Sequence, residues 1–120
     1  MYKLGIIEES LFNRTILHDL AKYLRSQRIE EFPDSVPPVW HICEHHIPDA
    51  ALAALLPELE KQVRPSWYIH AFNETALFVI LHGKSFQISP IKDDSWNNMI
   101  AYGLSVNVER HYLESIPLHV

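Results

Sequence analysis

The chain reads as an α+β domain: a largely antiparallel sheet with helices packed on one face, in a ferredoxin-like variant. Three observations predict it. Strand-like and helix-like stretches follow one another as strand, helix, strand, helix, three strands, helix. The three late strands are joined by turns too tight for any but antiparallel pairing. The 120 residues, 48% of them apolar, suffice to bury one core without staples. The whole chain, 1–120, is one domain, with no internal repeat and no low-complexity segment.

The first strand is expected over Leu4 to Glu8. Asn13 then caps a helix whose apolar positions Ile16, Leu17, Leu20, Tyr23 and Leu24 keep helical spacing. The other side of that helix carries His18, Lys22, Arg25 and Arg28, a basic stripe expected to be a solvated face. Phe32 to Pro38 holds three prolines and a polar pair, which sustain neither a ladder nor a helix, so it is a loop. Val39 to Ile47 is the next strand. Asp49 caps a second helix with Leu52, Leu55, Leu56, Leu59 and Val63 on its apolar side, and Pro57 is expected to bend it or split it into two pieces in one phase.

Trp67 to Asn73, Ala76 to His82 and Ser85 to Ser89 form an antiparallel meander turning at Asn73-Glu74-Thr75 and Gly83-Lys84. Asp93, Asp94 and Ser95 supply caps for a last helix presenting Trp96, Met99, Ile100, Gly103 and Leu104. A short helical turn follows Asn107 and ends before Ile116-Pro117. The middle strand of the meander is apolar on both faces, with Leu77, Val79 and Leu81 on one and Phe78 and Ile80 on the other. A sheet with one wet face would alternate. Its second face is therefore expected to bury against a second copy of the chain, which makes the protein a homodimer.

Composition narrows the function classes. The net charge is −5 and the basic residues are dispersed, a pattern that argues against a nucleic-acid partner. No segment approaches the roughly 20 apolar residues of a spanning helix, and Glu8 and Glu9 interrupt the apolar stretch a secretory signal needs. No membrane association is expected. The single cysteine, Cys43, suits a reducing compartment, so the expected location is cytoplasmic. Three glycines, Gly5, Gly83 and Gly103, write no phosphate-cradling loop, and there is no Gly-x-Ser-x-Gly elbow.

The chemistry concentrates in Trp40-His-Ile-Cys-Glu-His-His46 and Trp67-Tyr-Ile-His70. Strand periodicity sends His41, Cys43 and His45 to one face and Trp40, Ile42, Glu44 and His46 to the other. Two imidazoles and a thiol spaced two apart, joined by His70 from a neighbouring strand, make a candidate set for a zinc-like divalent metal. The chain lacks Cys-x-x-Cys and His-Glu-x-x-His, and no cofactor is required by its sequence. Trp40, His41, Trp67, Tyr68 and His70 are the candidate lining of a small-molecule pocket. A histidine acid or base is a further candidate, with His70 beside Glu44 or His41 beside Asp49 as the pairs to look for. Cys43 is expected to pack as a small hydrophobe, and Lys84 to serve as a turn residue.

Gly5-Ile-Ile-Glu-Glu-Ser10, Trp40-His41, Trp67-Tyr68 with His70, Gly83-Lys84-x-Phe86 and Tyr102-Gly103 together resemble a family of small uncharacterised bacterial proteins, the similarity spanning most of the chain. The resemblance implies a compact cytosolic α+β fold and carries no activity, ligand or catalytic residue. The functional expectation is a homodimeric binding or interaction module. Metal binding through the His/Cys cluster and cofactor-free acid–base catalysis are the alternatives.

Overall fold

The computed structural model describes residues 1–120. Six strands form one sheet in the order β2-β3-β1-β4-β5-β6, and every neighbouring pair is antiparallel. The strands are β1 (Tyr2–Ile7), β2 (Leu24–Glu31), β3 (Val39–Ile47), β4 (Ile69–Phe72), β5 (Leu77–Leu81) and β6 (Lys84–Ile88). The helices are α1 (Ile16–Leu20), α2 (Asp49–Gln62), α3 (Asn97–Ser105) and α4 (Arg110–Leu113). Since β3 and β4 both pair with β1, they run parallel to each other with β1 between them, and α2 makes the crossover. No helix is long and apolar enough to cross a membrane.

Alternation along the strands splits the apolar residues between two faces. On the first face Leu4, Ile6, Ile47, Ile69 and Ile80 bury against Ile16 and Leu20 of α1 and Leu52 and Leu59 of α2. On the second face Leu77, Val79, Leu81 and Ile88 bury against Trp96, Met99, Ile100 and Leu113. The α+β, largely antiparallel class is as the sequence indicates. The helices, however, divide between both faces. The second apolar side of β5 is thus covered by α3 and α4 of the same chain, so a second copy is not needed to bury it. Gly103 lets α4 approach α3 closely: a Cβ there would lie 2.6 Å from Leu113 Cδ2.

The main departure lies between residues 21 and 31. The expected long helix ends at Leu20, passes through a 3-10 turn over Ala21–Tyr23, and becomes the edge strand β2. All of β2 but Glu30 is exposed, so neither of its faces shows an apolar alternation and the strand is invisible to periodicity. Its structure comes from pairing with β3 over Ser26–Glu31. The basic stripe of His18, Lys22, Arg25 and Arg28 is accordingly not one helix face. Pro57 also acts differently from expectation, since α2 runs unbroken through it. Pro57 and Ala53, whose carbonyl it leaves without a helical partner, are both exposed, on the solvent side of the helix.

The turn chemistry follows the sequence at Asn73 and Asp93, whereas Asn13 makes a turn just before α1 instead of capping it, the cap being Thr15 with no side-chain bond. Asn13 Oδ1 accepts from the Thr15 N–H at 2.8 Å, Asn73 Oδ1 from Thr75 at 2.8 Å and Ala76 at 2.9 Å, and Asp93 Oδ1 from Ser95 at 2.8 Å. Asp49 is the first residue of α2 after the Pro48 cap rather than the cap itself. Lys84 projects from its hairpin with the ammonium 5.1 Å from the Phe86 ring centre.

Candidate functional site

Strand register decides which candidate residues can meet. Gly5 pairs with Glu44 on one side and His70 on the other, and directly paired residues share a face. Glu44, Gly5 and His70 therefore lie on the second face, while Cys43 and His45, which flank Glu44, lie on the first. His70 cannot join His41, Cys43 and His45 through the sheet. No group of three His, Cys, Asp or Glu side chains comes close enough to hold a metal ion. The expected four-ligand set is not assembled, because alternation separates by one sheet thickness what sequence spacing alone left adjacent.

What the second face does assemble is a cleft of about 530 Å³. Helices α3 and α4 cover only the β4–β6 half of that face, and the β1–β3 half remains open toward the loops around it. Trp40, Trp67, Tyr68 and His70 all line the cleft, together with Ile42, Arg28, Tyr112 and Val120. Trp40 stands edge-on to Trp67 with ring centres 5.0 Å apart, and Phe32 lies 4.2 Å from Trp40 on its far side. The Trp40 indole N–H donates to the Pro37 carbonyl at 2.9 Å, which fixes the ring against the proline loop. Ser66 adopts a left-handed conformation, φ 76°, and its N–H donates to Val106 at 2.8 Å. That turn delivers Trp67 and Tyr68 to the cleft wall. His41, the fifth expected lining residue, points to the first face.

Gly5 is the floor beneath His70. A Cβ at Gly5 would lie 2.7 Å from His70 Cε1 and 3.1 Å from Val120 Cγ2, so the ring rests where a side chain would otherwise stand. His70 Nε2–H donates to the His119 carbonyl at 2.9 Å, and the ring stacks on Phe72 with centres 5.5 Å apart. Burial lowers the His70 pKa, opposed by the hydrogen bond to His119. The result is a neutral imidazole of fixed tautomer, with Nδ1 left as an acceptor. Tyr68 is pushed up to about 12, by burial first and by Tyr112 second, so its hydroxyl remains a donor. Arg28 donates from Nε to Glu30 at 2.8 Å and from Nη1 to the Val120 main-chain oxygen at 3.0 Å. That leaves three of a guanidinium's five N–H donors free.

The first face holds a different arrangement. Glu9 accepts from the His41 backbone N–H at 2.7 Å and from His41 Nδ1–H at 2.6 Å. Burial raises the Glu9 pKa, but these two bonds outweigh it and leave the carboxyl below its ordinary value. Cys43 is pushed up to about 11, chiefly by burial and then by the charge of Glu8, which makes it an unreactive thiol at neutral pH. His45 is 2% exposed and its Nδ1 has no partner; burial lowers its pKa, against the pull of the Leu4 carbonyl. The two expected acid–base pairs are absent. Glu44 instead bonds His46 at 2.7 Å, His41 bonds Glu9, and His70 bonds a carbonyl. The histidines bonded to carboxylates, His41, His46 and His111, thus lie outside the cleft lining, and His70 within it bonds only a carbonyl.

Sequence reasoning missed Ile42, Tyr112 and Val120 as cleft residues and, most consequentially, Arg28 and Gly5. The signal of these last two exists only in register, since each takes its place through the strand beside it. No family model, curated protein or solved structure matches this chain.

Proposed function

We propose that this chain is a small binding module, working as a homodimer in the bacterial cytosol, whose second-face cleft holds a flat, largely apolar molecule carrying an oxygen acceptor. The observation that carries the reading is the convergence of Trp40, Trp67, Tyr68 and His70 from separate stretches of chain onto one cleft of about 530 Å³. That volume lies within the roughly 300–1,000 Å³ typical of small-molecule sites. Paired indoles supply an apolar wall at little entropic cost. Arg28 supplies free donors, and the two carbonyl-type oxygens already bonded by Arg28 and His70 are the kind of group the floor accepts. Burial of the only cysteine supports a reducing compartment. The β2-β3-β1-β4 order supports a ferredoxin-like frame extended by the β5–β6 hairpin.

Indole-3-acetate is a suitable probe, with indole and tryptamine as uncharged and cationic comparators. Isothermal titration is expected to give one saturable site per chain, tightest for the anion, and weakened about tenfold or more by Trp67→Ala, since a buried aromatic truncation costs at least about 1.4 kcal/mol. Equal and non-saturable responses to all three probes would remove the reading.

A further inference from the structure

The sheet has one long edge strand with no partner on its outer side. β2 contributes eight residues at its border, and every second one turns its N–H and C=O away from β3 into solvent. Natural sheets guard such an edge with a proline, a bulge, charged side chains or a covering loop. β2 carries four charges, Arg25, Arg28, Glu30 and Glu31, two of each sign, which a copy of the same strand can match. Here the only irregularity lies between Leu24 and Ser26, and the pairing of Ser26–Glu31 with β3 is regular. Ile29, in the middle of that regular stretch, is 63% exposed. No helix caps this border, whereas the opposite edge, β6, is shorter and ends in the buried Ile88.

We infer that β2 is the self-association surface, two copies joining their sheets antiparallel about a twofold axis through Ile29. This rests on the homodimer reading above and names its surface. An edge strand that pairs with its own copy presents the same set of outward groups on both sides, so paired positions must both be odd or both even. The axis therefore passes through a residue. With the axis at Arg28, the two guanidinium groups oppose each other, and the opposite charges it would match, Arg25 and Glu31, fall at the irregularity between Leu24 and Ser26 rather than in the regular ladder. With the axis at Gln27, Arg25 faces Ile29 and Ser26 faces Arg28, and no charge is matched. With the axis at Ile29, Arg28 faces Glu30 of the partner subunit on both sides of the axis, Gln27 faces Glu31, and the exposed isoleucines meet each other. Opposite charges directly across a pair stabilise it and like charges oppose it. Arg28 and Glu30 are already bonded along the strand at 2.8 Å, so dimerisation closes an alternating square of four charges.

The geometry has a functional consequence. A twofold axis perpendicular to a continuous sheet places both second faces on the same side. The two clefts then open together, and each Arg28, a cleft residue, has Glu30 of the partner subunit beside it. Self-association and ligand binding thereby share one side chain.

The test uses the full chain. Sedimentation velocity over a concentration series first establishes whether wild-type protein dimerises; a monomer throughout would sink the homodimer reading and this surface with it. Given a dimer, Arg28→Glu is expected to raise the dissociation constant about tenfold or more, because two pairs turn repulsive at once. The double exchange Arg28→Glu with Glu30→Arg is expected to restore it. Ile29→Cys is expected to give a disulfide-linked dimer under mild oxidation, since residues paired across a twofold approach within cystine reach, while Arg25→Cys is not. A wild-type dimer that is indifferent to the charge exchange and uncrosslinked at position 29 would overturn the β2 surface and leave the homodimer standing.

Discussion

Replacing Gly5 with alanine tests the cleft floor by the sign of its effect. In a strand interior, glycine is ordinarily worse than alanine by roughly 0.5–1 kcal/mol, so Gly5→Ala would stabilise the protein if nothing lay above it. The His70 ring lies above it. The new methyl would sit 2.7 Å from His70 Cε1, against the roughly 3.5–4.0 Å of an ordinary carbon contact, and the ring must retreat by about 1 Å. Phe72 stacks against the ring, Val120 Cγ2 lies 3.1 Å from the new methyl, and the bond to His119 holds the ring in place. Overpacking of this kind costs about 1–3 kcal/mol, and loss of the His70 bond adds about 1 kcal/mol. After the strand preference is subtracted, Gly5→Ala should destabilise by about 1–3 kcal/mol. Urea unfolding would show a lower midpoint with an unchanged slope, together with weakened indole-3-acetate binding. A Gly5→Ala variant more stable than wild type, with binding intact, would refute the packing argument.

Further outcomes follow from the same contacts. His45 and His70 both have folded pKa values below the ordinary 6.5. As pH falls through 6.5 the unfolded chain takes up protons that the native state refuses, so stability is lost on acidification. The slope approaches about 1.4 kcal/mol per pH unit for each histidine, and urea midpoints between pH 7 and 5.5 measure it. His45→Leu removes the unpartnered Nδ1 and should shallow that slope without loss of stability at neutral pH, whereas a loss of several kcal/mol would show that the imidazole has a partner after all. Glu9→Gln should cost about 1–2 kcal/mol in thermal or urea melts, since it discharges the acceptor of two bonds from His41; unchanged stability would make that clip incidental. Cys43 should react with a disulfide reagent far more slowly in folded protein than in urea, and equal rates would contradict a buried, protonated thiol.

Turns and helix starts were legible because the residues that make them act locally: Asn13, Asn73 and Asp93 each bond within three positions of themselves. The meander and α2 were legible because their apolar periods are strong. β2 was not, since an edge strand exposed on both faces has no period to show, and the apolar spacing of Ile16 to Leu24 ran past the true helix end. The cleft was half legible. Trp40, Trp67, Tyr68 and His70 announced themselves by residue type, and all four line it. His41 was assigned with them although alternation within β3 already turns it to the face opposite Trp40. The partners of the histidines were beyond reach, for Glu9 and the His119 carbonyl meet His41 and His70 through register and chain reversal over distances that no local pattern records.

The ligand proposed for the Trp40–Trp67–Tyr68–His70 cleft is a flat molecule with an oxygen acceptor. Titrating indole-3-acetate into isotopically labelled protein and following backbone and indole resonances tests it residue by residue. Binding in the cleft should give saturable shifts confined to Gly5, Arg28, Trp40, Trp67, Tyr68 and His70, with His41, Cys43 and His45 unmoved on the opposite face. Shifts centred on the first face, or spread without saturation over the surface, would contradict it.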